Sequence, residues 1–271
     1  MKGFGVNKNT NLRKLYNSTN DKNLYLKDKL NLAKNYIETK KILLAEKIYV
    51  QLIQEGVQSY DLFFSYALLS RNNLKFKVAK SLLNKSISKY PTKIDQYILL
   101  AEICRLEKKF PIALDLLLIA RKINPRNANT LYNLSLLYRD LDSKENSLSN
   151  VNQAIRLIPN NYVYKLLKAD LLKDQHDFEG SRLLLKELYS NKNIKDKKDI
   201  LLMLSTVERL DSNLLVSEEI LLETIKFYPK FSQAYLNLSD LYFEQKLSIK
   251  AKEILLRGLE IKSTIMPEMY V

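Results

Sequence analysis

The spacing of the prolines constrains this chain more than any other feature. Pro91, Pro125 and Pro159 stand 34 residues apart, twice over, and Pro229 lies 70 beyond Pro159, two such periods plus two residues. Proline lacks a backbone donor and its ring clashes with the preceding helical turn, so each should mark where a helix stops or starts. A fixed period of this length indicates an array of similar units, none of which can bury its apolar surface without a neighbour. With the prolines at position 32, seven units begin at Leu26, Tyr60, Ile94, Ala128, Tyr162, Lys198 and Ser232. The predicted map is a flexible polar leader over 1–25, units over 26–59, 60–93, 94–127, 128–161, 162–197, 198–231 and 232–265, and a short tail over 266–271. The two additional residues of the fifth unit are expected in the basic stretch 191–198.

Columns that did not define this frame support it. Position 8 reads Ala33, Ala67, Ala101, Ser135, Ala169, Ser205, Ser239, and position 20 reads Ala45, Ala79, Ala113, Ser147, Ser181, Ser217, Ala251. Helices approach to the short end of the usual ~8–10 Å range only where small side chains meet, so these columns predict a tight crossing of two helices, A and B, in each unit. Larger apolar residues flank them, as at position 24 with Tyr49, Leu83, Leu117, Val151, Leu185, Leu221 and Leu255. Spacings of three and four place these on one buried stripe per helix. The fifth unit departs from the pattern, with Lys165 at position 4 and Lys168 at position 7.

The 34-residue period, the small residues at 8 and 20, the larger apolar ones at 4, 7, 11 and 24, and the proline at 32 resemble the tetratricopeptide repeat over residues 26–265. That resemblance implies an all-α, right-handed α-solenoid of about seven helix-turn-helix units, its A helices lining a concave groove that holds a peptide or partner helix. It also implies that positions 2, 5, 6, 9 and 12 line the groove. Position 5 reads Leu30, Phe64, Ile98, Tyr132, Leu166, Leu202, Leu236 and is apolar throughout. This column can be partly core, as a broad apolar stripe on a packed helix is, or the floor that receives an apolar side chain. Position 12 carries Arg71, Arg105, Arg139, Lys173 and Arg209 in five consecutive units. These cations can complement the end of helix A, or bind carboxylate or phosphate through the planar guanidinium. Position 6 has asparagine only at Asn31, Asn133 and Asn237, so no continuous ladder for a peptide backbone is expected.

Charge and composition narrow the partner. Lys and Arg number 44 against 30 Asp and Glu, a net +14, which favours nucleic acid, an anionic membrane or an acidic peptide. Only ten of the 44 are arginine, a bias that lysine-rich codon usage also produces, yet four of those ten fall at position 12. A single Cys excludes an internal disulfide framework, and a single His excludes any two-histidine metal centre. The five glycines form no phosphate loop or nucleophile elbow. Cys104 falls at an interior position and His176 in an inter-helix turn, so neither is expected to do chemistry. The expected function is therefore non-catalytic: a cytoplasmic scaffold without cofactor or metal, holding an acidic protein or peptide at Phe64, Arg71, Ile98, Arg105, Tyr132, Asn133, Arg139, Leu166, Lys173, Leu202, Arg209 and Asn237. The alternatives are a nucleic-acid-binding repeat protein using the basic column, and the repeat portion of a regulatory or truncated enzyme system. No run of apolar residues is long enough to span a membrane. The final helix, expected over 247–261, offers Ile254, Leu255 and Leu259 for self-association.

Overall fold

The computed structural model describes residues 19–265. These residues form 14 helices and no strand. They are paired as α1 (Thr19–Glu38) with α2 (Ile42–Gln54), α3 (Tyr60–Asn72) with α4 (Phe76–Lys89), α5 (Ile94–Leu106) with α6 (Phe110–Ile123), and α7 (Ala128–Asp140) with α8 (Lys144–Leu157). The later pairs are α9 (Tyr162–Asp174) with α10 (Phe178–Ser190), α11 (Lys198–Leu210) with α12 (Leu214–Phe227), and α13 (Ser232–Glu244) with α14 (Ser248–Ile265). The chain divides into two compact units, Met1–Pro125 with three hairpins and Arg126–Val271 with four.

Six of the seven predicted unit starts are the first residue of an A helix; the exception is Leu26. Helix α1 begins at Thr19, so residues 19–25, read from the sequence as part of a flexible leader, are helical. Tyr25 gives a physical reason, since its hydroxyl reaches Glu55 Oε2 at 3.2 Å and ties this extra turn to the end of α2. Residues 1–18 of that leader, and the tail 266–271, lie outside the described residues. Helix α14 runs four residues past the expected Ile261. Its Ile254 packs inward at 8% exposure and cannot serve a docking surface, whereas Leu259 is 51% exposed.

Every A helix stops by the same device. The residue at position 15 has a left-handed backbone in each unit: Lys40, Leu74, Lys108, Asp142, His176, Ser212 and Lys246, with φ between 54° and 64°. Its N–H donates to the carbonyl of position 12, and the next N–H donates to position 11, as in His176 to Lys173 (3.0 Å) and Asp177 to Leu172 (2.9 Å). This Schellman arrangement satisfies two carbonyls that the helix end would otherwise orphan, and it reverses the chain into helix B. Asn161 and Asp177 accept from the backbone N–H groups of Val163 and Gly180, capping the starts of α9 and α10. The four prolines follow their B helices by two residues.

All fourteen residues of the small columns are buried, none above 7% exposure. Where position 20 is serine, its hydroxyl crosses to the partner helix. Ser147 donates to the Ser135 carbonyl, Ser181 to Ala169 and Ser217 to Ser205, each at 2.8 Å. In the last unit the direction reverses, with Ser239 donating to Ala251 at 2.9 Å. Serine therefore replaces alanine without leaving a buried hydroxyl unsatisfied.

The irregular fifth unit is held by charge. Lys165 bonds Glu187 at 2.6 Å. Arg182 on α10 reaches Glu208 on α11 at 2.8 Å, Asp211 beside it, and Glu179 on its own helix at 2.6 Å. Burial works to raise the Glu208 pKa, but hydrogen bonds from Arg182 and Asn213 outweigh it and hold the carboxyl below its ordinary value. The seven-residue connection 191–197 holds the two additional residues, and Ile194 folds inward beside Leu185 and Leu188.

Candidate functional site

The A-helix face holds the predicted residues, and it is built separately in each compact unit. In the first, the position-5 residues Phe64 and Ile98 lie on α3 and α5, Phe64 half-buried and Ile98 7% exposed. Phe64 stacks on Tyr60 at 5.5 Å between ring centres, and Lys93 Nζ stands 5.3 Å from the Tyr60 ring. In the second, Tyr132, Leu166 and Leu202 on α7, α9 and α11 are half-buried, and Leu236 on α13 is 37% exposed. Tyr132 lies against Tyr164 with ring centres 5.1 Å apart. Leu166 and Leu202 rest against core clusters, so the column is both edge of the core and accessible floor.

The basic column differs from a row of cations awaiting a partner. Arg71 is bonded to Glu102 on the next A helix, and its Nη1 donates to Asn72 at 3.0 Å. Arg139 bonds Asp170 at 2.8 Å, again on the next A helix. Lys173 shares that same Asp170 at 2.5 Å and reaches Asp174 at 3.3 Å. Arg209 bonds Glu244 at 2.9 Å. Arg105 is half-buried and likewise engaged. Burial lowers the Lys173 pKa, but the hydrogen bond and charge of Asp170 outweigh it, so the group is raised and stays ionised. Within each compact unit the pairs of Arg71, Arg139 and Arg209 tie one A helix to the next, those of Lys173 stay within α9, and together they neutralise much of the charge that this column displays.

The asparagines behave similarly. Asn133 donates to the Asn129 carbonyl of its own helix at 2.9 Å, and Asn237 accepts from Gln233 at 3.0 Å. The carboxylates Glu102, Asp170 and Glu244 are what the sequence reading missed. A signal for the first two was present: each lies 31 residues after its arginine, which is position 12 of one unit facing position 9 of the next. Cys104 is buried and His176 exposed in its turn, as expected. Among the described residues no cluster of His, Cys, Asp and Glu could hold a metal ion.

Stacked helical hairpins presenting half-buried apolar residues along their A helices define a helical-repeat interaction scaffold. The sequence profile of the tetratricopeptide repeat matches residues 128–161 and 232–265, which are the fourth and seventh units of the predicted frame. By sequence these two units are tetratricopeptide repeats, and the all-α arrangement of helical hairpins is similar to that of solved tetratricopeptide-repeat structures. Among solved structures it is similar to a tetratricopeptide repeat protein from Parabacteroides merdae, at TM-score 0.68 and 13% identity, covering 86% of this chain and 98% of that one. It is also similar to pilF from Pseudomonas aeruginosa, at TM-score 0.61 and 16% identity over 75% and 91% of the two chains. A chain of the APC/C hetero-tetramer Cut9–Hcn1 gives TM-score 0.63 at 12% identity, over 82% of this chain and 43% of that one. No curated protein matches by sequence.

Proposed function

We propose that the protein is a non-catalytic scaffold that binds a partner peptide or helix on the A-helix face of its repeats, with apolar side chains of the partner as the chief anchors. One observation carries this reading: at position 5 Phe64, Tyr132, Leu166 and Leu202 stay half-buried and Leu236 exposed, with only Ile98 of the predicted residues buried, while the charges beside them are already paired. Apolar area that the fold leaves open is what a partner can bury, at roughly 25 cal/mol per Å². Acidic residues of the partner then act by exchanging with Glu102 or Asp170 for the same guanidinium, which tunes specificity more than affinity. The Cut9–Hcn1 neighbour, whose fold occurs in a hetero-tetramer, supports a role in assembly.

The test is affinity capture from the cell of origin, with nuclease, comparing wild type with Leu166→Asp plus Leu202→Asp. A protein partner retained by wild type and lost from the variant is expected, at unchanged helicity. Binding that nuclease abolishes would instead establish nucleic acid as the partner.

A further inference from the structure

The positive charge of the chain is unevenly shared. Residues 1–125 contain 23 Lys and Arg against 10 Asp and Glu, a net +13, whereas residues 126–271 contain 21 against 20, a net +1. A compositional drift toward lysine acts on the whole chain and does not produce such a division. In the first compact unit five of these cations stand at the turns between A and B helices: Lys40 and Lys41, Lys75, and Lys108 and Lys109. The equivalent turns of the second unit read Asp142-Ser143, His176-Asp177, Ser212-Asn213 and Lys246-Leu247.

The three turns of the first unit share one edge. Lys75 Nζ lies 2.7 Å from Glu46 of the preceding hairpin, and Lys80 Nζ lies 2.7 Å from Glu107 of the following one. Glu107 also takes Lys109 at 2.8 Å, and Glu38 faces Lys34 at 4.0 Å. Glu38, Glu46 and Glu107 thus each have a lysine, while Lys40, Lys41, Lys77 and Lys108 remain exposed.

Apolar side chains project between these lysines. Leu43 and Leu74 are each 74% exposed, Leu106 49% and Ile112 52%. Leu74 holds the left-handed position of its turn, at φ 58°. Neither the backbone, which favours glycine there, nor burial selects a leucine at that site.

We propose that this edge docks the first compact unit onto the surface of an anionic lipid bilayer, with the lysines against lipid phosphates and Leu43, Leu74 and Ile112 entering the headgroup layer. Interleaved lysine and protruding aliphatic residues match that surface, where each lysine strengthens binding and each buried methylene adds to it. The same edge suits nucleic acid less well: lysine presents point charges without bidentate readout, and exposed leucines offer no stacking platform for bases. Docking at the surface requires no spanning helix, and no helix among the described residues is long and apolar enough to be one.

The experiment is cosedimentation of the full chain with phosphatidylcholine vesicles, with and without phosphatidylserine, alongside a gel-shift assay on single-stranded and duplex nucleic acid. Wild type is expected to sediment with the anionic vesicles only and to be released by salt. Lys40→Gln combined with Lys41→Gln should lower vesicle partitioning by more than about tenfold, at roughly fivefold per lysine. Leu74→Gly should weaken vesicle binding several-fold while its melting temperature holds or rises, since glycine relaxes the turn; a purely structural leucine would lower both. The proposal is overturned if wild type stays in the supernatant with anionic vesicles at low salt, or if both variants bind them like wild type. It is equally overturned if the variants lose nucleic-acid binding but keep vesicle binding.

Discussion

At position 15 this chain sets seven non-glycine residues in the left-handed region, each disfavoured by roughly 1–2 kcal/mol relative to glycine. The cost is accepted because the two Schellman hydrogen bonds and the reversal into helix B leave no other geometry. Ser212→Gly should therefore stabilise the protein, by about 0.5–1 kcal/mol after allowing for the freer unfolded chain, seen as a raised denaturation midpoint. A lowered midpoint would mean that the Ser212 side chain contributes more than the backbone loses. The small columns act in the opposite sense. Ala101→Leu and Ala113→Leu insert volume where the helices touch, with side chains at 1% and 0% exposure, and each should cost about 1–3 kcal/mol. Unchanged melting in both would refute the register. The small columns were legible from sequence because a requirement for small side chains recurs at every crossing. The position-15 conformation was not, because without glycine nothing in the residue types marks it.

Pairs of helices are joined by ionic contacts whose value depends on burial. Arg139 and Asp170 are part-exposed, so Arg139→Ala should cost only about 0.2–1 kcal/mol. Arg182 and Glu208 are different, since Glu208 is 4% exposed. Removing Arg182 leaves that carboxylate buried with one partner fewer, and Arg182→Ala should destabilise by about 3–5 kcal/mol. The pH dependence follows from the depressed Glu208 pKa: its stabilisation is fully present above the ordinary value of 4.5 and is lost as pH falls through the folded-state pKa. Wild type should thus lose more stability than Glu208→Gln when acidified below pH 4.5, measured by chemical denaturation; parallel losses would show that Glu208 does not titrate in this way. These contacts explain why the candidate face was only half legible. Arg71, Arg139, Lys173 and Arg209 stood out as a column, but an acid one repeat away pairs with a cation only through the packing of successive A helices, which a single-unit reading does not contain. Lys165 and Lys168 depart from the apolar pattern of the fifth unit, and Glu187 on the second helix of that same unit shows how Lys165 is accommodated.

For the molecule as a whole, the array of hairpins was readable from four prolines, and its extent was misjudged only at the ends. There α1 begins seven residues before Leu26, and the last helix runs four residues past Ile261. The division of charge between residues 1–125 and 126–271 emerges only when the compact units are counted separately, since the net +14 conceals it. The central claim is that the A-helix face receives a protein, and photo-crosslinking tests it most directly. A photoreactive residue would be placed at Leu166 or Leu202, and, as a control, at Leu183 on helix α10, which is 60% exposed. Crosslinks to one protein from positions 166 and 202, absent from 183 and insensitive to nuclease, are expected. Crosslinks confined to 183 would contradict the account and place the binding surface on the B helices.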